Sequence, residues 1–201
     1  MLSRIVLASN NRGKLAELQA MFAPLGLELV RQADLGIPEA EEPFRTFLEN
    51  ALAKARHAAQ HSGLPALADD AGLCVEAFGG QPGVDTAYYA TQFGYPKGDD
   101  NNVTALLEQM RGIDDRRAAL VSTLVAVRSP QDPEPLVAVG RAPGEIARER
   151  RGEHGFGFDP VMVIPGFGKT FAELPPEVKN ANSHRGQAAR QMVQMIRERW
   201  L

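Results

Sequence analysis

The feature that most constrains the fold is an apolar run near the N-terminus that passes directly into a polar loop and then into a helical pattern. Ile5, Val6 and Leu7 are consecutive within a predicted strand over residues 3–8, and a continuous apolar run is typical of a strand buried on both faces. Beyond residue 14, large apolar residues recur at the spacing of one helix face: Leu15, Leu18, Met21, Phe22 and Leu25. The chain is therefore predicted to open as a buried strand, a loop and a helix.

The polar loop between this strand and this helix has the composition of a phosphate-binding site. It consists of Ser9, Asn10, Asn11, Arg12, Gly13 and Lys14. A strand that feeds a helix start directs backbone N–H groups and the positive end of the helix at one spot, which favours a bound anion. Lys14 in the first helical turn is unfavourable for the helix dipole, and a phosphate would explain its placement. The alternative is a plain polar connection with a solvated lysine.

Two adjacent carboxylates form a second candidate site. Asp69 and Asp70 follow the apolar residues 66–68 and precede Ala71 and Gly72, a pattern that predicts the end of a buried strand followed by a turn. Adjacent acids repel each other unless a cation lies beside them, and Mg²⁺ prefers oxygen ligands of this kind. A solvated Asp-Asp turn is the alternative interpretation.

An acidic loop over residues 34–43 could supply a further ligand to such a cation. Glu41 and Glu42 lie within this loop. Charge runs of this kind are usually solvated, so two interpretations stay open at this point: a surface loop, or a loop that adds a carboxylate to the metal site.

A capped helix follows the acidic loop. Thr46 and Glu49 match a capping box, and Gly63 is suited to end the helix. Lys54 lies on a different stripe of this helix from the apolar face. It is either an exposed surface lysine or a residue that reaches a bound phosphate.

The middle of the chain is predicted to contain helices and a meander of strands. Helices are expected over residues 84–92 and 101–111. Strands are expected over residues 73–78, 117–128, 136–140 and 145–150, the last three forming the meander.

An aromatic loop over residues 155–160 reads Gly-Phe-Gly-Phe-Asp-Pro. Such a loop can place an aromatic ring and a stretch of backbone against a flat ligand such as a nucleobase. The residues that would do so are Phe156, Gly157, Phe158 and Asp159. Alternatively, the two rings simply anchor the loop to the core.

A cationic cluster lies near the C-terminus. Lys179 precedes His184 and Arg185, which open a last helix predicted over residues 187–200, with Ser183 as a natural N-cap. Such cations can hold an anion or the edge of a purine. The alternative is a capping turn surrounded by surface charges.

Composition and charge limit the classes of function. The chain has 201 residues, 44% of them hydrophobic, which suits one globular unit or two closely packed lobes. Its net charge of −3 argues against wrapping a nucleic-acid backbone, so a polyanionic ligand would have to be small. The single cysteine, Cys74, fits a reducing cytosol. The apolar run at the N-terminus is too short for a signal peptide or a membrane span.

Taken together, these stretches resemble the inosine triphosphatase or Ham1-like family of pyrophosphatases for noncanonical purine nucleoside triphosphates. The resemblance rests on five blocks in family order over nearly the whole chain: VLASNNRGKLAEL, TFLENALAKARHAA, LPALADDAGLCVEAFGGQPGV, HGFGFDPVMVIP and SHRGQA. It implies hydrolysis of ITP, dITP and XTP between the α- and β-phosphates, with Mg²⁺ as the cofactor. It also implies a single domain over residues 1–201 with an α/β fold: an elongated mixed sheet flanked by helices, with two lobes and the active site in the cleft between them.

The resemblance further implies roles for individual residues. Asp70 matches the proton acceptor and metal ligand, Glu42 matches a second metal ligand, and Glu41 is a less certain one. The substrate-binding positions are Ser9 to Lys14 and Lys54 for the phosphates, Ala71 beside the acid pair, and Phe156 to Asp159, Lys179, His184 and Arg185 for the base. The implied partners are a small nucleoside triphosphate and a second copy of the chain in a homodimer, without nucleic acid or membrane, in the cytoplasm.

Two positions depart from the family pattern, and two rival functions remain. Ala71 replaces a serine common in bacterial members, which puts one substrate contact in doubt, and Tyr88 replaces a frequent arginine. A Maf-like nucleotide pyrophosphatase is one rival, and the SHR stretch and the aromatic loop argue against it. A non-catalytic nucleotide sensor is the other, and the intact pair of Asp69 and Asp70 argues against it.

Overall fold

The computed structural model describes residues 2–201, and seven strands and five α-helices lie within that range. The strands are β1 (Arg4–Leu7), β2 (Glu28–Arg31), β3 (Ala66–Val75), β4 (Arg117–Val127), β5 (Leu136–Ile146), β6 (Met162–Ile164) and β7 (Lys169–Thr170). The helices are α1 (Arg12–Phe22), α2 (Phe47–Ser62), α3 (Asp99–Gln109), α4 (Pro176–Asn182) and α5 (His184–Arg199). No helix in the described range is long and apolar enough to cross a bilayer.

The strands form one mixed sheet in the order β2-β1-β3-β4-β5-β6-β7. Strand β1 pairs in parallel with β2 and with β3, with Val6 opposite Ala66 and Leu7 opposite Leu67. Strand β6 pairs in antiparallel fashion with β5 and with β7. The predicted α/β fold with a mixed sheet and flanking helices is confirmed.

The chain divides into two compact units. The first unit comprises the residues up to Asp70, Ser122–Gly140 and His184–Leu201, and the second comprises Ala71–Val121 and Arg141–Ser183. The prediction of a single domain with its site in a cleft stays a prediction.

Strand β1 of the first unit is buried on both faces, because its successive residues belong to different hydrophobic clusters. Ile5 and Leu7 pack with the apolar sides of α1 and α5. Val6 and Ala8 pack with the alanines of α2. Because side chains alternate between the two faces of a strand, a sheet covered by helices on both sides needs apolar residues at consecutive positions. This explains the continuous apolar run of β1.

Strand β5 alternates instead between the core and solvent along its whole length. In β5, Ala142 and Ile146 are buried, whereas Arg141 and Glu145 are exposed. The core on the buried face includes the apolar side of α3 and the side chains of Phe158 and Phe171. This alternation is typical of a sheet with one solvated face.

Several predicted boundaries are wrong. Residues 66–75 form one continuous strand, so Asp69 and Asp70 lie within β3 and not at a strand end followed by a turn. Gly72 does not adopt a positive φ, and the backbone stays extended through it. The predicted strands over residues 136–140 and 145–150 are one strand, β5, that ends at Ile146. Gly144 lies inside this strand, and its lack of a side chain lets β6 approach closely, since a Cβ there would collide with the carbonyl of Val163.

Two further differences concern short elements. The predicted helix over residues 84–92 is a 3-10 helix, Gly83–Phe93. The last helix starts three residues earlier than predicted, at His184, directly after Ser183. The short strand β7 carries no sequence signal that distinguished it from the surrounding turn.

Candidate active site

The predicted phosphate loop is shaped by its own side chains. Asn11 is the N-cap of α1, and its Oδ1 accepts a hydrogen bond from the backbone N–H of Lys14 at 3.0 Å. Ser9 Oγ accepts a hydrogen bond from the N–H of Asn11 at 3.2 Å. Asn10 Nδ2 donates to Glu39 Oε1 at 2.9 Å, and Arg12 and Gly13 are the first residues of the helix. The predicted strand, polar loop and helix are confirmed.

Lys14 in the first turn of α1 is directed at β3. Its Nζ lies 3.1 Å from Asp69 Oδ2 and donates to the backbone carbonyl of Asp69 at 3.3 Å. Burial lowers the pKa of Lys14 from its usual value, although the negative charge of Asp69 opposes that shift. The carboxylate of Asp69 therefore compensates the unfavourable placement of a lysine at a helix start.

Asp69 is a buried carboxylate with partners on both oxygens. Ser122 Oγ donates to its Oδ1 at 2.7 Å, and Arg185 Nε donates to its Oδ2 at 2.9 Å. Burial alone would raise the pKa of Asp69, but the charges of Arg185 and Lys14 outweigh it and hold the pKa well below its usual range. Asp69 is therefore ionised at any ordinary pH, and its chemistry is that of a fixed counter-ion.

Asp70 lies on the opposite face of β3, because consecutive residues of a strand point to opposite sides. Its Oδ1 accepts a hydrogen bond from Lys54 Nζ at 2.8 Å. Its Oδ2 is buried and has no hydrogen-bond partner among residues 2–201. Burial raises the pKa of Asp70 to about 6, although the charge of Lys54 acts against it. A carboxylate that titrates near neutral pH, with an oxygen still to be satisfied, is suited to accept a proton or a metal.

Lys54 of α2 connects this acid to the acidic loop. Its Nζ donates to Glu42 Oε2 at 3.2 Å and to the backbone carbonyl of Asp69 at 3.1 Å. Lys54 is 9% exposed, so the alternative of an exposed surface lysine is wrong. One ammonium group thus lies between Asp70 and Glu42, in the position that a cation shared by the two carboxylates would take.

The donor set fits Mg²⁺ if substrate and water complete it. Asp70 contributes a buried, unsatisfied oxygen, and Glu42 contributes a half-exposed carboxylate. Within the described part of the chain, no group of three or more His, Cys, Asp or Glu side chains is arranged to hold a metal ion. Mg²⁺ is commonly bound by one or two carboxylates together with phosphate oxygens and waters. Glu41 and Glu42 are both exposed, and Glu42 is the one whose carboxylate contacts Lys54 beside Asp70.

The first turn of α5 places two of the predicted cations in the interior of the first unit. Arg185 donates through Nη1 to Glu17 Oε2 at 2.7 Å, and its side chain is only 3% exposed. Its pKa is raised, because the charges of Asp69 and Glu17 outweigh the effect of burial. His184 is buried as well. The backbone of His184 lies so close to Gly140 on β5 that a Cβ at position 140 would collide with its carbonyl oxygen.

The two phenylalanine rings of the aromatic loop in the second unit differ in burial. Phe158 is 3% exposed and belongs to the core, whereas Phe156 is half-buried. Lys179 Nζ lies 4.9 Å from the centroid of the Phe156 ring and 2.7 Å from Asp159 Oδ2. That same Asp159 oxygen accepts a hydrogen bond from the N–H of Phe156 at 2.8 Å. Phe156 is therefore the ring that can meet a ligand, and Phe158 anchors the loop.

The structure brings several of the predicted residues into direct contact within each unit. In the first unit, the phosphate-loop lysine, the helix lysine, the acids and the arginine of α5 form one network: Lys14, Lys54, Glu42, Asp69, Asp70 and Arg185. In the second unit, Phe156, Asp159 and Lys179 form another. Ala71 is half-buried on β3, and Tyr88 is exposed with Lys97 Nζ 4.0 Å from its ring centroid.

Two members of the first network were missed by the sequence analysis. Ser122 and Glu17 contact the predicted residues Asp69 and Arg185 directly. Ser122 lies outside the five family blocks and Glu17 lies within the first of them, but a serine within a predicted strand or a glutamate on a helix gives no signal of its own. Only the pairing of distant segments reveals them.

Comparison with known proteins identifies the family. The Ham1 family model matches residues 5–195. The dITP/XTP pyrophosphatase of Acidovorax sp. (strain JS42) is 79% identical over 197 residues, which is 98% of this chain and 96% of that protein. The dITP/XTP pyrophosphatase of Paracidovorax citrulli (strain AAC00-1) is also 79% identical, covering 98% of this chain and 99% of that protein. A solved HAM1 protein from Coxiella burnetii matches with a TM-score of 0.90 and 44% identity, covering 98% of this chain and 100% of that one. The chain therefore belongs to the Ham1 family.

Proposed function

We propose that this protein is a pyrophosphatase that hydrolyses dITP, XTP and ITP to the nucleoside monophosphate and pyrophosphate, and so removes noncanonical purines from the nucleotide pool. The observation that carries the proposal is Asp70, a buried carboxylate with a raised pKa and an unsatisfied oxygen, beside Lys54 and Glu42. The relatives named dITP/XTP pyrophosphatase, at 79% identity over almost the whole chain, support the substrate class.

The triphosphate is bound by the lysines and the start of α1. Lys14 and Lys54 carry positive charge next to the phosphate loop and the acid pair, respectively. The N-terminus of α1 adds backbone N–H groups and the positive end of the helix dipole. Together these groups neutralise the charge of the substrate and of the pyrophosphate that leaves.

Asp70 is the general base of this reaction. It orients a water molecule and accepts its proton as the water attacks the α-phosphorus, and the bond from that phosphorus to the oxygen bridging to the β-phosphate breaks. Mg²⁺, held by Asp70 and Glu42, would offset the charge of the phosphates and make water more acidic. Lys54, which lies between these two carboxylates, holds them in place through its hydrogen bonds at 2.8 and 3.2 Å.

The resemblance to the family assigns recognition of the base to the aromatic loop of the second unit and to the first turn of α5 in the first unit. Phe156 stacks on the purine, since Phe158 is committed to the core. His184 and Arg185 donate to the 6-oxo group of hypoxanthine or xanthine. Adenine presents an amine at that position, and a buried donor left without an acceptor costs about 1–3 kcal/mol, so ATP is rejected.

The remaining parts of the proposal follow from the resemblance to the family. They are a homodimer as the assembly, the cytoplasm as the location, and Mg²⁺ as the metal. Size-exclusion chromatography with light scattering tests the dimer, and titration of activity with Mg²⁺ and Mn²⁺ tests the metal.

A pyrophosphate-release assay tests the function itself. The panel contains ITP, dITP, XTP, GTP, ATP, dTTP and UTP, each with Mg²⁺ and each with a chelator. We expect release from ITP, dITP and XTP with Mg²⁺, little release from ATP, and none with chelator. Preferential release from dTTP or UTP would support the Maf-like alternative. Binding of ITP without release would support the non-catalytic sensor.

A further inference from the structure

Two carboxylates hold consecutive backbone N–H groups of the aromatic loop. Asp159 Oδ2 accepts a hydrogen bond from the N–H of Phe156 at 2.8 Å, from within the loop. Asp99 Oδ2 accepts one from the N–H of Gly157 at 3.0 Å, from the start of α3. The peptide bonds before and after Phe156 are therefore held by two different elements of the second unit.

This part of the loop needs such support because its sequence makes it flexible. Gly155 and Gly157 have φ values of +79° and +60°, a region that glycine enters freely and leaves as freely. Phe158 is fixed by the core, but Phe156 is only half-buried. The position of the Phe156 ring therefore depends on the hydrogen bonds of its own backbone more than on packing.

Asp99 is the first residue of α3, and the first turn of this helix forms side-chain hydrogen bonds with other segments. The neighbouring Asp100 accepts a hydrogen bond through Oδ1 from Arg150 Nη1 at 2.8 Å, and Arg150 Nη2 donates to Thr104 Oγ1 at 2.8 Å. One turn further on, the buried Asn102 accepts a hydrogen bond from the N–H of Ala90 at 2.9 Å. A carboxylate in the first turn of a helix is also favoured by the helix dipole. Asp99 thus transmits the position of α3 to the loop.

We propose that Asp99 is a positioning residue for the purine. By accepting the Gly157 N–H it holds the backbone that carries Phe156, and it thereby sets the affinity for the base and not the rate of bond cleavage. Asp99 does not contact the substrate in this arrangement. The inference rests on the proposed role of the aromatic loop as the base site.

The test compares the binding of two ligands by calorimetry, using the full-length protein. Inosine monophosphate reports on the base site, and inorganic pyrophosphate with Mg²⁺ reports on the phosphate site. For Asp99→Ala we expect inosine monophosphate to bind about three- to tenfold more weakly, the effect of one lost hydrogen bond, while pyrophosphate affinity is unchanged. Asp99→Asn should retain most of the affinity, because the amide oxygen can still accept from Gly157.

A matched control and a second variant complete the design. Asp114→Ala removes the same charge from the second unit at a fully exposed side chain whose ion pair with Arg148 spans 4.0 Å, and it should bind both ligands as the parent does. Arg150→Met removes the hydrogen bonds that Arg150 donates to Asp100 and Thr104. It should also weaken the binding of inosine monophosphate without affecting pyrophosphate, but by a smaller factor than Asp99→Ala. In steady-state kinetics with dITP, Asp99→Ala should raise KM and leave kcat unchanged.

The outcomes separate this proposal from the proposed function. Parental affinity of Asp99→Ala for inosine monophosphate, or an equal loss for both ligands, would overturn the positioning role and leave the pyrophosphatase intact. If Asp99→Ala weakens only the binding of inosine monophosphate but the parent protein releases no pyrophosphate from ITP, the positioning role would be supported and the hydrolytic function overturned.

Discussion

Asp69 and Asp70 are consecutive residues of one strand, yet the fold gives them opposite surroundings. Asp69 faces α1 and α5 and meets Lys14, Arg185 and the hydroxyl of Ser122. Asp70 faces α2 and meets Lys54 alone, with one oxygen unpartnered within residues 2–201. The pKa of the first is held far below its usual range, and the pKa of the second is raised to about 6.

The difference shows how one strand can carry two acids of opposite character side by side: Asp69, which we call the structural acid, and Asp70, the reactive acid of our proposal. The two-residue period of a strand sends adjacent side chains to opposite faces, so each acid takes its properties from a different set of helices. The acid that is fully compensated is chemically inert and stabilises the fold. The acid that is under-compensated is the one available for a metal, a water molecule or a proton.

The largest effect is expected when the reactive acid, Asp70, is neutralised. Asp70→Asn keeps the shape of the side chain but can neither accept a proton nor carry a charge to a metal. We expect kcat/KM for dITP to fall by about 10²–10⁴, the usual contribution of a general base. Pyrophosphate release with Mg²⁺ measures it, and circular dichroism confirms that the variant is folded. Turnover near the parental level would refute the role of Asp70.

Neutralising the structural acid should instead damage the fold. Asp69→Asn leaves the buried Arg185 and Lys14 without their shared counter-ion, and breaking a buried ion pair on one side costs about 3–5 kcal/mol. Urea unfolding at pH 7.5 measures the change. The control is Asp34→Asn, which makes the same substitution in the surface pair with Arg31 and should change the stability far less than Asp69→Asn does, since solvent screens an exposed pair. Equal losses in both variants would contradict a special role for Asp69.

The dependence of stability on pH distinguishes the two acids without activity. The pKa of Asp70 is about 6 in the folded protein and thus above its ordinary value, so the fold favours the protonated acid. That contribution is present below the ordinary carboxylate range and is lost as pH rises through about 6.

Metal-free parent protein should therefore lose about 1–2 kcal/mol of stability between pH 4.5 and pH 7 relative to Asp70→Asn, whose residue 70 does not titrate. Urea titrations at several pH values with chelator present give both curves. Parallel curves would mean that Asp70 is ionised throughout, as Asp69 is.

The smallest expected effect tests one hydrogen bond of the structural acid. Ser122→Ala removes the hydroxyl that donates to Asp69 Oδ1 at 2.7 Å and should cost about 1 kcal/mol. The same change made in the Asp69→Asn background should cost measurably less, because the two residues interact directly. An undiminished cost in the double variant would assign the loss to packing.

The parts of the fold that the sequence predicted are those with local signals. Thr46 accepts a hydrogen bond from the N–H of Glu49, and Gly63 caps the end of α2 in the left-handed conformation, as the capping box and the glycine predicted. The opening strand, loop and helix were equally clear, because a continuous apolar run predicts a strand buried on both faces and regularly spaced apolar residues predict a helix.

The parts that failed depend on distant segments. The acid pair was predicted to lie at the end of a strand followed by a turn, and the groups that compensate a carboxylate inside a strand are not visible in the local sequence. For Asp69 they include the hydroxyl of Ser122, 53 positions away, and the guanidinium of Arg185, 116 positions away. Recognition of β3 as one strand would have predicted that the two acids face opposite ways, but not which of them meets the arginine.

The aromatic loop shows the same limit on a smaller scale. Two glycines and two phenylalanines alternate, so both rings carry the same local signal. Only the packing of the second unit assigns Phe158 to the core and leaves Phe156 half-buried. The sequence identified the loop, but only the tertiary packing shows which ring is buried in the core and which is accessible to a ligand.

The close approach of Gly140 to the carbonyl of His184 bears on how this enzyme can be engineered or can drift in evolution. Even an alanine at codon 140 would push the first turn of α5 away from β5 and shift both His184 and Arg185 with it. A library that randomises this codon should yield glycine among its active clones, whereas the exposed neighbour Arg141 should tolerate many replacements. If His184 and Arg185 bind the base as proposed, a substitution at position 140 would alter substrate recognition without contacting the substrate.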